Sequence, residues 1–205
     1  MAGKPDRKLI TLEVLRTERL TPHFLRVVAG GSGMGDYVDI DHTDRYVKLV
    51  LPPAGIAYDE PLDVRGERER RPEAEWPRFR TYTVRGVDVD AGELWIDFLQ
   101  HGDAGLAGPW AAAARPGDPL HLLGPGGAYS PDPAADAHLI VGDEAAFPAI
   151  AAALERIAPD ATVKAVLEVG DPADVAYLDL TGRDDVRWLR RGEDTDDLAD
   201  AVEGA

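Results

Sequence analysis

Short runs in which apolar and polar residues alternate predict a β-rich first part of the chain. Turn residues such as glycine, proline and aspartate separate the runs, and β-branched and aromatic residues are frequent within them. Six segments show the pattern: residues 9–16, 24–29, 46–51, 80–85, 93–100 and 120–123. Short strands separated by turns favour an antiparallel barrel. We therefore predict a six-stranded barrel over residues 1–132, with 93–100 as the hairpin partner of 80–85.

The pattern changes after residue 132. Three apolar runs follow, at residues 138–141, 163–169 and 186–189. Between the first two, apolar residues recur at helical spacing and predict a helix over residues 149–158. Strand, helix and strand in succession predict a βαβ unit with a parallel sheet, so we expect an α/β domain over residues 133–205 after a linker at 130–137. With so few elements, this domain is expected to be shortened and to bury its sheet poorly.

Composition and charge exclude several classes of function. A net charge of -16 and a pI of about 4.6 disfavour nucleic acids and anionic membrane surfaces as partners. The absence of cysteine excludes disulfides and thiolate-bound metal clusters, and the histidines show no paired ligand spacing, so we predict no metal site. No apolar stretch resembles a signal peptide or a membrane span, which predicts a cytoplasmic protein.

Residues 65–77 differ from their surroundings. They combine charges of both signs with two prolines and are expected to form a solvated connection.

The predicted strand 80–85 carries the most informative side chains. Arg80 offers a guanidinium that fits a phosphate bidentately, and the ring of Tyr82 can lie on a flat aromatic ligand. The Thr83 hydroxyl can give or take one further hydrogen bond. An aromatic dinucleotide such as FAD needs both a cation for its pyrophosphate and a platform for its ring. The alternative is an edge strand with mixed polar residues and no ligand.

A glycine-rich approach leads into a second candidate segment. Gly102, Gly105 and Gly108 precede Pro109, which suits the first helical position, and a run of alanines follows. The free N–H groups at such a helix start bind anions, of which pyrophosphate is common. An ordinary short helix with a glycine cap fits the pattern equally well.

The turn after residues 138–141 is a third candidate. Gly142, Asp143 and Glu144 stand where a strand changes into a helix, the usual position of a nucleotide in an open α/β sheet. The two carboxylates would repel a phosphate directly, so the signal is weak by itself.

Taken in order along the chain, the motifs resemble those of the siderophore-interacting protein family. Its members are FAD-dependent ferric-siderophore reductases related to ferredoxin–NADP⁺ reductases. The resemblance runs from about residue 9 to residue 193 and rests on RTYTVR at 80–85, DFLQHG at 97–102, GLAGPW at 105–110, GPGG at 124–127 and GDEAAFPA at 142–149. It implies an FAD-binding barrel followed by an NAD(P)H-binding α/β domain, with FAD and NADPH or NADH as cofactors and a ferric siderophore as partner.

The resemblance also implies roles for individual residues. Arg80 would hold the FAD pyrophosphate, Tyr82 and Thr83 would contact the isoalloxazine ring, and Lys48 would attract the anionic siderophore. The full set of implied cofactor contacts is Arg80, Thr81, Tyr82, Thr83, Val84, Arg85, Asp97, His101, Gly102, Ala107, Gly108, Trp110, Gly142, Asp143 and Glu144. No residue is expected to act as a catalytic acid or base.

The sequence departs from the family pattern in three places. Gly108 stands where many members carry serine or threonine, and Gly126 stands where many carry arginine. Members also continue well past residue 205, so the nucleotide domain is expected to be incomplete.

The implied activity is transfer of hydride from NAD(P)H to FAD, followed by transfer of single electrons to Fe³⁺ in a siderophore and release of Fe²⁺. Two alternatives stay open: a general electron-transfer flavoprotein, and a non-catalytic flavin- or siderophore-binding remnant. The sequence identifies neither the siderophore nor the choice between NADH and NADPH, and it leaves the oligomeric state open.

Overall fold

Two sheets form the framework of the protein. A computed structural model describes residues 8–100, 102, 105–183, 185–193 and 198–203. The first sheet is antiparallel, with strands β1 Leu9–Arg19, β2 Phe24–Gly30, β3 Tyr46–Leu51, β4 Arg78–Thr83, β5 Gly86–Asp88, β6 Glu93–Leu99 and β7 Pro119–Gly126. Their order across the sheet is β4-β3-β7-β1-β2-β6-β5.

The prediction of a closed six-stranded barrel is wrong. Among the described residues the sheet has seven strands, and its order leaves β4 and β5 as edges. The additional strand, β5, lies between residues 80–85 and 93–100, where the predicted hairpin would have its turn. Its Gly86 pairs with Trp95, and a Cβ on Gly86 would lie 2.1 Å from the indole ring. Glycine is therefore needed for β5 to approach β6.

The predicted hairpin between 80–85 and 93–100 is also wrong. Strand β4 pairs with β3, so that Arg80 lies opposite Leu49. Strand β6 lies between β2 and β5 instead. Its Leu94, Ile96 and Phe98 are fully buried, and an inner position in the sheet protects them better than an edge.

The connection from β3 to β4 is more ordered than expected. It contains helix α1, Val64–Arg70, which begins where the Asp63 side chain accepts the Gly66 N–H. Glu67 is buried and bonds to the guanidinium groups of Arg70 and Arg71. The mixed charge thus forms ion pairs within the connection, and most of residues 65–77 stay exposed or half-buried, as expected of a solvated connection. Helix α1 itself was not predicted.

Helix α2, Ala107–Ala113, follows the first sheet and starts earlier than its sequence predicts. Pro109 is its third residue instead of its first. The buried side chains of Ala107 and Ala111 pack against the core of the first sheet, so packing sets the start of this helix.

The second sheet confirms the predicted βαβ unit. Strands β8 Ala137–Gly142, β9 Thr162–Val169 and β10 Asp185–Arg190 are parallel, in the order β10-β9-β8. Helix α3, Phe147–Leu154, connects the first two, and α4, Leu198–Glu203, packs on the opposite face. No helix in the described ranges is both long and apolar enough to span a bilayer.

The core under α3 draws a residue from the first sheet. Phe24 of β2 is completely buried among Phe147, Ile150, Leu167 and Leu178. The two sheets therefore share a hydrophobic core, whereas the domain boundary at residues 132 and 133 stays a prediction.

Candidate functional site

Strand β4 lies at an edge of the first sheet, and β3 is its single strand partner among the described residues. The Val84 N–H donates to the Arg45 carbonyl, 2.9 Å away. Hydrogen-bonded pairs alternate along an antiparallel ladder, so Tyr82 also directs its backbone groups towards β3. The N–H and C=O groups of Thr81 and Thr83 consequently point away from the sheet. Strand β4 thus presents backbone donors and acceptors along an open edge.

A cavity of about 490 Å³ lies beside this edge. One wall comes from β4, and the other comes from the turn after β8 and the start of α3. The cavity brings together six of the predicted site residues: Arg80, Thr81, Tyr82, Thr83, Asp97 and Glu144. Residues far apart in the sequence therefore meet where the two sheets face each other.

Arg80 is exposed, and its guanidinium bonds to the neighbouring Phe79 carbonyl, 2.9 Å away. Within the described ranges no carboxylate pairs with it, although most other arginines of this acidic protein have such a partner. An anion entering the cavity would meet a cation that no acidic side chain has neutralised. This arrangement fits a phosphate or pyrophosphate group.

Tyr82 supplies an aromatic surface in the same cavity. Its ring packs on Phe98, with centroids 4.6 Å apart. Burial raises the pKa of its phenol above the usual 10.0, against a lowering effect of Arg80, so the phenol stays protonated and can donate. A free cation, a fixed ring and open backbone groups form the donor set that FAD requires, and the residues present therefore fit this cofactor.

Asp97 has its carboxylate already engaged. It is buried and accepts hydrogen bonds from Arg26 Nε and Nη2, both at 2.8 Å, and from the Tyr177 hydroxyl at 2.5 Å. Burial, and next the Asp97 charge, raise the pKa of Tyr177, which keeps its proton on the hydroxyl. Tyr177 stacks on Phe24 at 4.2 Å and ties the second sheet to the first. Sequence reasoning missed this residue, since nothing near it in the chain points to Asp97.

Two residues that follow β4 lie away from the cavity. The Val84 side chain is fully buried in the first core, so a ligand could reach its backbone only. The Arg85 guanidinium forms two bonds with the Glu155 carboxylate on the other side of the interface. It lines a separate cavity of about 500 Å³ together with Tyr177 and Arg183.

The glycine-rich approach is described only in part, and His101 lies outside the described residues. Gly102 lines a neighbouring cavity of about 330 Å³. A Cβ on Gly108 would lie 3.7 Å from the Leu99 carbonyl. Leu99 lines both the cavity beside β4, which contains Arg80, and the neighbouring cavity, which contains Gly102. The start of α2 is therefore close to the site, although Ala107 and Trp110 pack on the first core.

The turn after β8 is organised by its own carboxylates. Asp143 accepts the Ala145 N–H at 3.0 Å, and the buried Glu144 accepts the Gly170 N–H. A Cβ on Gly142 would lie 2.9 Å from Ala146 Cβ, so glycine allows the turn to pack closely against the following helix. These contacts fix the turn and join it to the turn after β9, and the Arg191 guanidinium, 2.7 Å from Glu144, offsets part of its negative charge.

Lys48 lies beside the site instead of in it. It is exposed and faces Thr81 across the β3–β4 ladder, and no acidic partner for it is present within the described part of the chain. Sequence reasoning also missed Tyr46 and Asp44, which line the cavity. Asp44 accepts the N–H groups of Ala128 and Tyr129, each at 2.9 Å, and so holds the connection between the sheets. No cluster of metal ligands occurs among the described residues.

Two family models match the chain. The siderophore-interacting FAD-binding domain matches residues 13–129, and the siderophore-interacting protein model matches residues 135–205. The two ranges divide the chain near the predicted boundary between its halves.

Curated relatives agree with these matches. An uncharacterized protein of Mycobacterium tuberculosis is 47% identical over 94% of this chain and 68% of its own length. The ferric vibriobactin reductase ViuB of Vibrio cholerae is 34% identical over 88% of this chain and 66% of its own length. The NADPH-dependent ferric-chelate reductase of Escherichia coli is 34% identical over 92% of this chain and 74% of its own length.

Solved structures show the same architecture. A siderophore utilization protein from T. fusca superposes with a TM-score of 0.76 at 34% identity, covering 97% of this chain and 76% of that one. A ferredoxin–NADP⁺ reductase from Plasmodium falciparum, 8% identical with a TM-score of 0.66 and covering 96% of this chain and 79% of that one, shares the fold alone.

Proposed function

The chain belongs to the siderophore-interacting protein family, and we propose that it passes electrons from NAD(P)H through FAD to ferric iron held by a siderophore. The observation that carries the proposal is the cavity along the open edge of β4, which combines Arg80, Tyr82 and the free backbone groups of Thr81 and Thr83. The ferric vibriobactin reductase and the ferric-chelate reductase among the relatives support the same chemistry.

The chain's own residues account for binding and orientation of the cofactor. Arg80 holds the pyrophosphate, and its lack of an acidic partner leaves its donors available. Thr81 and Thr83 offer backbone donors and acceptors to the polar edge of the flavin ring, while Tyr82 packs beside it. Bound FAD would supply the conversion of a two-electron donor into one-electron steps that reduction of Fe³⁺ needs.

The outer side of the site suits an anionic iron chelate. Lys48 and Arg80 lie on neighbouring strands and give this edge a local positive charge on a protein of net charge -16. Such a local field raises the concentration of an anionic partner near the cavity. Reduction to Fe²⁺ weakens the hold of hard oxygen ligands on the iron and releases it from the siderophore.

FAD binding by the purified protein tests the proposal. Arg80→Ala should raise the Kd for FAD roughly 10- to 150-fold, the equivalent of about 1.5–3 kcal/mol for a charge-assisted hydrogen bond. Fluorescence titration of FAD measures the change. Arg78→Ala is a matched control, because Arg78 lies on the same strand and bonds to the Glu73 carbonyl outside the cavity.

Two results would contradict the assignment. If the wild-type protein binds no FAD, it lacks the proposed activity. If Arg80→Ala and Arg78→Ala raise the Kd for FAD equally, Arg80 has no specific role in binding the cofactor. If FAD binds, anaerobic addition of NADH or NADPH followed by a ferric siderophore separates the alternatives. Flavin bleaching without faster formation of Fe²⁺ indicates a general electron-transfer protein.

A further inference from the structure

The carboxyl ends of the three parallel strands meet at one edge of the second sheet. In open α/β sheets nucleotides bind outside these ends, where turns and loops leave a crevice. The cavity of about 330 Å³ opens here, next to the proposed flavin site, and Glu144 and Leu99 line both. The nicotinamide nucleotide of the proposed function would therefore enter along this edge.

The side chain of Arg191 lines this cavity, and carboxylates surround its guanidinium group. Its Nε lies 2.6 Å from Glu168, and its Nη2 lies 2.7 Å from Glu144 and 3.7 Å from Asp143. The backbone N–H of Arg191 donates to the Val169 carbonyl at 3.0 Å. These contacts tie the ends of all three strands together and more than neutralise the guanidinium charge.

The Arg191–Glu144 pair is hard to release. The Glu144 side chain is only 4% exposed and also accepts the Gly170 N–H. Moving the guanidinium to a new anion would leave a buried carboxylate without its cation, which is costly. A phosphate at this edge would therefore find no available cation on Arg191.

Asp171 adds an acceptor directly after β9. Its Oδ1 caps the following turn by accepting the Ala173 N–H at 2.8 Å, and its Oδ2 has no hydrogen-bond partner in the described part of the chain. An acidic side chain near the nucleotide-binding strand ends is the usual acceptor for a ribose 2′-hydroxyl, whereas a 2′-phosphate requires a free arginine.

We propose that this edge selects NADH over NADPH. The selection rests on the proposed function and deepens it: Asp171 accepts the ribose 2′-hydroxyl, while Asp143, Glu144 and Glu168 hold Arg191 and repel a 2′-phosphate. The assignment differs from the preference of the Escherichia coli relative, which is an NADPH-dependent ferric-chelate reductase.

Binding of the oxidised nucleotides tests the proposal without turnover. Isothermal titration calorimetry of the FAD-loaded protein should give a Kd for NAD⁺ about tenfold or more below that for NADP⁺. Glu168→Gln replaces one of the carboxylates that pair with Arg191 by a neutral amide of similar shape. This variant should lower the Kd for NADP⁺ roughly three- to tenfold and leave that for NAD⁺ within about twofold.

Glu193→Gln is the matched control. It makes the same change in net charge two residues from Arg191, but Glu193 pairs with Arg190 and does not contact the Arg191 guanidinium. We expect it to leave the ratio of the two Kd values unchanged. A rise in NADP⁺ affinity equal to that of Glu168→Gln would mean that net charge alone acts, which overturns the local assignment.

The remaining outcomes are also decisive. NADP⁺ binding as tight as NAD⁺ in the wild-type protein overturns the inference and leaves the proposed reductase intact. Binding of neither nucleotide removes this edge as a nucleotide site. Only the first of these results is specific to the inference. Failure of the proposed function appears instead as a protein that takes up no FAD, or as one that takes up FAD but binds neither nucleotide.

Discussion

At the scale of single residues, the pairing of each arginine decides what it can do. The protein has 38 acidic residues and 22 lysines and arginines, so carboxylates outnumber the cations with which they can pair. Arg26, Arg85 and Arg191 are each engaged by a carboxylate, and they stabilise the contact between elements. Arg80 has no such partner among the described residues, which leaves its donors available to the proposed cofactor. In the sequence these four arginines look alike, and only the structure distinguishes how each is paired.

His121 makes a prediction about pH at the same scale. It is buried, with Nε2 2.8 Å from Glu60 and Nδ1 3.0 Å from the Thr11 hydroxyl. Burial lowers the pKa of His121 below 6.5, and Glu60 only partly offsets this effect. The folded protein therefore binds fewer protons than the unfolded chain just below pH 6.5. The contribution of neutral His121 to the free energy of unfolding is complete above pH 6.5 and is lost as the pH falls through its lowered pKa.

Urea denaturation between pH 7.5 and pH 5 measures this effect. The free energy of unfolding should decrease as the pH is lowered from 7.5 to 5. His121→Gln should make this decrease smaller, because glutamine does not titrate in this range. His138→Gln is a control at a less buried histidine. A wild-type slope that His121→Gln leaves unchanged would assign the pH dependence to other groups.

At the scale of elements, contacts between backbones limit what the turns tolerate. The short 3₁₀ helix Ser32–Asp36 packs against β1. A Cβ on Gly33 would lie 2.0 Å from the Thr11 carbonyl oxygen, whereas a Cβ on Gly35 would have no neighbour within 4 Å. Position 33 therefore cannot accept a side chain without a shift of the backbone, whereas position 35 of the same helix has room for one.

Alanine substitutions test this difference. Gly33→Ala should cost about 1–3 kcal/mol of unfolding free energy, because a strand backbone cannot move aside as a side chain can. Gly35→Ala should stay within about 0.5 kcal/mol of the wild type. Chemical denaturation of both variants under one condition measures the difference, and equal stabilities would contradict the packing.

At the scale of the whole molecule, packing and polar contacts join the two sheets. Phe24 enters the core of the second sheet, and the buried Asp174 accepts the His23 ring N–H at 2.7 Å. Tyr177 bonds to Asp97, and Arg85 pairs with Glu155. These contacts fix the cavity between β4 and the turn after β8, whose two walls come from different sheets.

Phe24→Ala tests this coupling. Loss of a fully buried ring should destabilise the protein by about 3–5 kcal/mol and loosen the second sheet. Limited proteolysis should then cut the connection at residues 130–136 faster than in the wild type. Leu25→Ala is the matched control, because the adjacent Leu25 is buried in the first core. Equal cleavage of both variants would show that Phe24 acts only through global stability.

The sequence by itself predicted six of the seven strands described in the first sheet, the βαβ unit and the family. Local alternation, helical spacing and turn residues act over a few positions, and the motif around Arg80 predicted an FAD site. Strand partners, the open order of the first sheet and the engagement of Asp97, Arg85 and Glu144 depended on the tertiary structure. These features join residues far apart in the chain, such as Leu9 with Leu123 and Asp97 with Tyr177. No short-range pattern encodes which distant strand or side chain becomes the partner.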